Sequence, residues 1–510
     1  MNIDFFAAMA ARSDAAPKRW RRLFWRWLDG IETGWSIPLL LAAFVIIWTG
    51  FLMIAYAGGD LHPDVLETWT MGREFAFGYT KHPPLMAWIA RAWTTVFPLT
   101  NWSFQLLAMV NAALALWIVD LIARRFVRGD KRAIVLMMLM ILPVYQFHAQ
   151  RFNANAVLLA TWPLATYCFL RSFEAPRSLL WAIAAGAAAA LAMLGKYYSG
   201  FLIAGFGFAA LMHPQRRAYL LSPAPWIAAV AGFIVLAPHI AWLIRHDFAP
   251  FDYAMAVHSK LALGPALSSA LNFLLGLVAY FLLPALIWFL MTGSRLARML
   301  SDFCAAPPGL HLLAYILIAT SLLPPLVTIA LGSNLPPLWA LQGLYLVPIL
   351  VVCSTRYPIE RLYTVNLAVI VLLSIVVSYI GAPFYALRQN ADGGLEGGRI
   401  YFRQAAEKLT AQWHLSTERP LAIISGDENL AFAAAFYGKD HPRNVPIWKQ
   451  APAEGDWAAM CFADDEPCMT WLRFAASSAS GAINVQFVVQ PTLWGHAGKP
   501  ARIAAVMVPR

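Results

Sequence analysis

The sequence predicts a polytopic α-helical membrane protein that ends in a small α/β domain outside the bilayer. Three observations carry this. Of the 510 residues, 60% are hydrophobic and only 13% are charged, whereas soluble domains are about 25% charged. Apolar runs approaching the ~20 residues that cross a bilayer recur about eleven times between residues 36 and 382. Beyond residue 383 the runs stop and shorter alternating and helical patterns take over. A formal net charge of +11 would suggest a nucleic-acid partner in a soluble protein. Here the basic residues flank apolar runs, so the positive-inside bias accounts for them and no nucleic acid is expected.

The spans are expected near 36–56, 103–123, 133–150, 154–171, 178–195, 198–212, 225–244, 270–292, 309–331, 338–353 and 363–382. Residues 1–35 are polar and basic (Arg12, Lys18, Arg19, Arg21, Arg22, Arg26) and read as a cytoplasmic segment, not a cleaved leader. Arg124, Arg125, Arg128, Lys131 and Arg132 follow the second span. Arg171 and Arg177 follow the fourth, Arg216 and Arg217 the sixth, Arg295 and Arg298 the eighth, and Arg356 and Arg361 the tenth. Every even-numbered exit is therefore basic, which places those loops and the N-terminus in the cytoplasm. The first loop, 57–102, and the tail then face the opposite side. In a bacterium that is the periplasm, with the chain in the inner membrane.

The tail, 383–510, opens with Asn390-Ala-Asp-Gly-Gly394, a linker signal. Helical patterns follow near 398–414, 428–438 and 469–478, and strand-like runs at 421–425, 458–462, 485–490 and 502–508. One sheet with flanking helices is the expected domain. Cys461 and Cys468 close a short loop there and are a candidate disulfide in an oxidising compartment. Cys168, Cys304 and Cys353 are scattered, the first and last in or beside apolar spans.

Polar residues of chemical interest gather where the spans leave the membrane on the non-cytoplasmic side. In the first loop, Asp64 and Glu67 are three residues apart, so a helix there would turn both carboxylates the same way. Charged groups at membrane depth are costly and usually functional, although Asp64 after Pro63 would also suit a helix cap. Lys81-His82-Pro83-Pro84 holds a cation and an imidazole on a stiffened backbone where the chain re-enters the bilayer. A fixed cation there suits a phosphate, above all one on a lipid; the plainer reading is a lysine reaching lipid headgroups. Arg73 serves either purpose. At the entry to the fourth span, His148, Arg151, Asn153 and Asn155 offer a guanidinium and two amides, for sugar hydroxyls or for bonds between helices. Lys196-Tyr197-Tyr198 fits either an interfacial aromatic belt or a phosphate clamp with sugar-stacking rings. His239, after Pro238 and before Trp242, reads as a packed residue or a ligand. The loop that follows carries Arg245, His246, Asp247, Asp252, Tyr253, His258 and Lys260; Asp247 and His258 are a weak divalent-metal pair. The sequence has no HExxH or CxxC metal spacing, no Walker loop and no GxSxG, so no cofactor is assigned.

These pieces resemble bacterial integral-membrane glycosyltransferases of family 39, relatives of the protein O-mannosyltransferases and the lipid A aminoarabinose transferases. The resemblance rests on Asp64-Val-Leu-Glu67, Gly78-Tyr79-Thr80-Lys81-His82-Pro83-Pro84-Leu85, Arg151-Phe-Asn-Ala-Asn155, Leu194-Gly-Lys-Tyr197 and Pro238-His239 with Trp242. It covers about 36–380, and its most specific block runs from Gly78 to Trp88. It implies the GT-C fold, a polyprenyl-phosphate sugar donor, and a catalytic aspartate in the first loop that falls on Asp64. The cation before the Pro-Pro pair falls on Lys81 or His82. Many members have adjacent Asp-Glu where this chain has carboxylates three apart, which leaves Asp64 and Glu67 both open as the base. Where others carry an acid at the fourth span, this chain has Asn153 and Asn155.

The expected activity is inverting transfer of a sugar to a lipid, polysaccharide or protein of the envelope. Asp64 and Glu67 are the catalytic candidates, and Lys81, His82, Arg151, Lys196 and Arg73 those for the donor phosphate. Tyr79, Asn153, Asn155, Tyr197, Tyr198 and His239 are the candidates for sugar or acceptor. Two rivals are a lipid-linked glycan transporter or flippase and an O-antigen ligase or polymerase. A transferase needs the polar residues in one pocket at one face; a transporter needs a path through the membrane.

Overall fold

In the computed structural model, residues 19–258, 261–292, 296–356, 359–394, 398–445 and 456–509 are described. Arg12, Lys18, Lys260 and Arg295 lie outside the described residues, as do the side chains of Arg19, Arg21 and His258.

The helices in chain order are α1 Arg19–Thr33, α2 Ser36–Ala55, α3 Pro63–Arg73, α4 Leu85–Thr94, α5 Asn101–Ala123, α6 Asp130–Met140, α7 Ala154–Glu174, α8 Leu179–Gly195, α9 Gly200–Met212, α10 Arg216–Leu220 and α11 Ala224–Arg245. They continue with α12 Ala249–His258, α13 Leu263–Thr292, α14 Leu296–Cys304, α15 Pro308–Leu331, α16 Leu346–Ser354 and α17 Arg361–Asp392. Among the described residues, seven helices (α2, α5, α7, α11, α13, α15, α17) are long and apolar enough to cross a membrane, and the pair Pro337–Gly343 and α16, bent by 43°, makes an eighth. This chain is a multi-span membrane protein. The expected eleven spans all fall on helical segments, but not all are full crossings. The run at 133–150 is divided, because Pro143 interrupts it and a π-turn, Val144–His148, follows α6. The runs at 178–195 and 198–212 form shorter apolar helices. Close packing of α8 on α11 uses small residues: a Cβ on Gly186 would lie 1.9 Å from the Ala228 carbonyl oxygen.

The first loop is not an open connector. Pro63 starts α3 in its first turn, and the His62 imidazole caps it by accepting from the Asp64 amide at 3.2 Å. α3 and α4 pack together, with Gly72 so close to α4 that a Cβ there would sit 2.6 Å from the Ala87 carbonyl oxygen.

α17 runs past the expected end of the membrane part at 382 and stops at Gly393, whose φ of +87° breaks the helix. The tail then forms α18 Phe402–Ser416, β1 Ile423–Gly426, α19 Glu428–Tyr437, β2 Arg443–Asn444, β3 Trp457–Phe462, α20 Glu466–Ser478, β4 Ile483–Val489, β5 Thr492–Leu493, β6 His496–Ala497 and β7 Ala501–Val508. The main sheet has the order β2-β1-β3-β7-β4; β1 pairs parallel with β2 and β3, and β7 antiparallel with β3 and β4. β3 is buried along most of its length between the helices. Cys461 on β3 and Cys468 on α20 are joined, with Cα atoms 5.8 Å apart.

The tail is seated on the first loop. Asp60, 7% exposed in its side chain, accepts from the Arg403 backbone amide at 2.7 Å and pairs with the Arg403 guanidinium at 3.3 Å. Arg399 donates to the Asp60 carbonyl. The Tyr437 hydroxyl accepts from the Leu61 amide at 2.9 Å and donates to the Asn101 side chain at 2.8 Å. Phe436 packs its ring against Trp69 and Phe104. α19 is thereby held directly over α3.

Candidate active site

A cavity of about 260 Å³ opens where α3, the loop before α4, the start of α7, the junction of α8 and α9, and α19 meet. Among the residues lining it are Asp64, Glu67, Lys81, His82, Asn153, Asn155, Lys196, Tyr253, Glu428 and Phe432. Seven of the candidates read from the sequence are therefore brought together, although they come from four separate stretches of chain.

Asp64 sits in the first turn of α3, with its side chain 42% exposed. Its Oδ2 accepts from Asn153 Nδ2 at 2.7 Å. Asn153 is itself fixed, because its Oδ1 caps α7 by accepting from the amides of Asn155 and Ala156 at 2.9 and 3.0 Å. The rigid start of α7 thus orients the carboxylate. Glu67, one turn on, is 12% exposed in its side chain and lies 3.0 Å from the Lys81 ammonium. Burial raises its pKa to about 7, an effect that Lys81 opposes and that the charges of Glu428 and Asp64 reinforce. Burial also disfavours the Lys81 ammonium, but Glu67 and Glu428 outweigh it and the lysine pKa rises. The rings of Tyr253 and Phe432 flank that ammonium at 5.7 and 5.9 Å.

Lys196 lines the same cavity from the junction between α8 and α9. It donates to Asn155 Oδ1 at 2.8 Å and lies 3.8 Å from the centre of the Trp339 ring. Burial lowers its pKa to about 7, partly countered by the Asp64 charge. His82 is buried next to both lysines, which lowers its pKa to about 4; at neutral pH it is an uncharged imidazole, not the cation expected for phosphate.

Other candidates lie elsewhere. Arg73 does not line the cavity: its guanidinium donates to the Pro442 carbonyl at 3.0 Å and sits over Trp69, tying the tail to α3. Arg151 is also absent from the lining. Tyr79 donates to the Glu74 carbonyl at 2.8 Å and so braces its own loop. His239 Nδ1 lies 2.6 Å from the Phe77 carbonyl and Nε2 lies 2.9 Å from the Tyr197 hydroxyl. Gly78 gives Trp242 its place, because a Cβ there would be 2.2 Å from the indole. His239, Trp242 and Tyr197 thus clamp the loop that carries Lys81. Tyr198 is buried and stacks on Trp162. The pair Asp247 and His258 falls partly outside the described residues, and among those described no group of three or more His, Cys, Asp or Glu side chains is placed to hold a metal ion.

Sequence reasoning missed Glu428 and Asn429. They follow Asp427, which caps α19 by accepting from the Leu430 amide at 2.9 Å, so the run Asp-Glu-Asn reads as an ordinary helix start. Nothing local connects it to a lysine 347 positions away.

The model of the dolichyl-phosphate-mannose-protein mannosyltransferase family matches residues 81–242, a stretch that contains Lys81, Asn153, Lys196 and His239. Lipid A galacturonosyltransferase RgtD from Rhizobium johnstonii is 24% identical over 255 residues, 49% of this chain and 53% of that protein. The match thus spans about half the length of that relative. Among solved structures, ArnT from Cupriavidus metallidurans in the apo state superposes with a TM-score of 0.59 at 15% identity, covering 93% of this chain and 98% of ArnT. The chain has the fold of ArnT, the GT-C fold. ArnT bound to undecaprenyl phosphate gives a TM-score of 0.58 at 15% identity, over 92% of this chain and 98% of ArnT. Both superpositions extend through the tail, so the GT-C match takes in the α/β domain and not the membrane helices alone.

Proposed function

We propose that the chain is an inverting glycosyltransferase that moves a sugar from a polyprenyl-phosphate carrier to an acceptor hydroxyl of the bacterial envelope, on the periplasmic side of the inner membrane. The observation that carries this reading is the convergence of Asp64, Glu67, Lys81 and Lys196 on one cavity at one end of the helix bundle. A glycan transporter would need such groups along a path between the two faces.

In this reading the acceptor hydroxyl gives its proton to Asp64 as its oxygen attacks the anomeric carbon. The bond from that carbon to the phosphate oxygen breaks on the opposite side, and polyprenyl phosphate leaves with the bonding pair. Asp64 is favoured over Glu67 as the base because it is the more exposed carboxylate and is aimed by Asn153, whereas Glu67 is engaged with Lys81. Base catalysis of this kind contributes roughly 10²–10⁴-fold. Lys196 stands against the charge gathering on the leaving phosphate, with Lys81 beside it. His82 serves as a neutral hydrogen-bonding partner. The lipid A acceptor and polyprenyl-phosphate carrier in the names of RgtD and the ArnT complex support an envelope lipid and a carrier of that class for this chain.

Mass spectrometry of envelope lipids and glycans tests the proposal in three strains: a deletion, the deletion with wild type restored, and the deletion with Asp64→Asn. One sugar should be missing in the first, present in the second and missing in the third at equal protein level. An intact glycolipid accumulating on the cytoplasmic side of the deletion strain would make the protein a flippase instead.

A further inference from the structure

Lys81 is held by two carboxylates from distant parts of the chain, Glu67 on α3 and Glu428 on α19. Their combined charge exceeds that of the ammonium. An arriving phosphate therefore meets no net positive charge at Lys81 until one carboxylate gives way. The two are not equivalent. Glu67 is 12% exposed and enclosed on α3, whereas Glu428 is 38% exposed in the first turn of α19. The backbone that presents Glu428 is rigid. β1 ends at Gly426 with φ +100°, where a Cβ would lie 2.1 Å from the Met460 carbonyl oxygen, and the Asp427 amide donates to that oxygen at 2.7 Å. With α19 held by the sheet and by its seat on the first loop, the Glu428 side chain, the more exposed of the two carboxylates, is the one with room to turn away.

We propose that Glu428, supplied by the tail domain, is a competing anion that holds the Lys81 ammonium when the site is empty and yields it to the phosphate of the sugar carrier. This rests on the polyprenyl-phosphate reading given above. It gives the tail a part in the chemistry of the membrane site: the carboxylate acts as a stand-in anion, keeping a half-buried lysine paired between turnovers, and its exchange for phosphate sets how tightly the carrier is held.

Equilibrium binding of a polyprenyl monophosphate to the purified full-length protein in detergent tests this. Glu428→Gln keeps the shape of the side chain and removes its charge; Glu428→Ser removes the charge with a different shape. Both should bind about tenfold more tightly than wild type, since a like charge beside the phosphate is gone. The gain should vanish in a Lys81→Gln background. Unchanged or weaker binding by both variants overturns the proposal and makes Glu428 a support for Lys81. A gain of equal size without Lys81 also overturns it, since general charge removal would then be the cause. If the wild-type protein binds no polyprenyl phosphate, the donor reading itself fails, a result separate from either of these.

Discussion

At the residue scale, the site depends on one asparagine with two tasks. Asn153 caps α7 with its oxygen and holds Asp64 with its amide. Asn153→Ser keeps a cap while losing the bond to Asp64, so kcat should fall by about tenfold with thermal stability nearly unchanged. Asn153→Ala loses both and should also destabilise the protein by about 1 kcal/mol, which thermal unfolding will read. A second prediction concerns pH. Glu67 is neutral and Lys196 cationic in their protonated forms, and those are the forms that favour an anion. Both titrate at about 7, so affinity for polyprenyl phosphate should be strongest below that value and weaken by roughly tenfold as pH rises through it. Glu67→Gln should flatten the part due to Glu67. The first loop made Asp64, Glu67 and Lys81 legible in the sequence, because charge at a membrane boundary needs a reason and the spacing is local. Arg73, Tyr79 and His239 were equally visible and lie outside the cavity. A sequence shows that a polar group must be satisfied but not whether backbone or ligand satisfies it.

At the element scale, the apolar runs located the helices because burial in lipid leaves the backbone no other partner than itself. Their ends were less legible. Pro143 divides one run, and α17 continues ten residues beyond the expected boundary at 382 before Gly393 ends it. The amphipathic helix α1 was hidden by its arginines, which read only as a basic segment although Trp27 and Ser36 lock it to α2. In the tail, strand-like and helical runs marked four of the five strands of the main sheet and its three helices, while the two-residue β2 was missed. The link between Cys461 and Cys468 ties β3 to α20 across a separation of seven residues. Closing so short a loop should add about 2 kcal/mol to the tail's stability. Reduction of the purified protein, or paired replacement by serine, should lower its unfolding temperature accordingly. An unchanged transition would mean that the buried packing of α20 alone holds the tail.

At the scale of the whole molecule, membrane part and tail form one site. The buried Asp60 of the first loop is satisfied by Arg403 of the tail, and burial raises its pKa while the Arg403 bonds oppose the rise. Arg403→Ala keeps the backbone bond to that carboxylate but removes the guanidinium, at a cost of about 1 kcal/mol. It should loosen the tail, seen as faster proteolysis near residues 394–400, and reduce activity even though Arg403 does not line the cavity. This dependence was not legible in the sequence. Asp60 and Arg403 are 343 positions apart, and neither lies in a motif; only the folded chain brings α18 and α19 over the first loop. The same distance hid Glu428. In the proposed reaction the cavity divides into an acceptor side at Asp64 and a phosphate side at Lys196. Binding of a polyprenyl monophosphate to wild type, Asp64→Asn and Lys196→Gln tests that division most directly. Asp64→Asn should bind as wild type does, while Lys196→Gln should bind at least tenfold more weakly. Wild-type binding by Lys196→Gln, or loss of binding in Asp64→Asn, would contradict it.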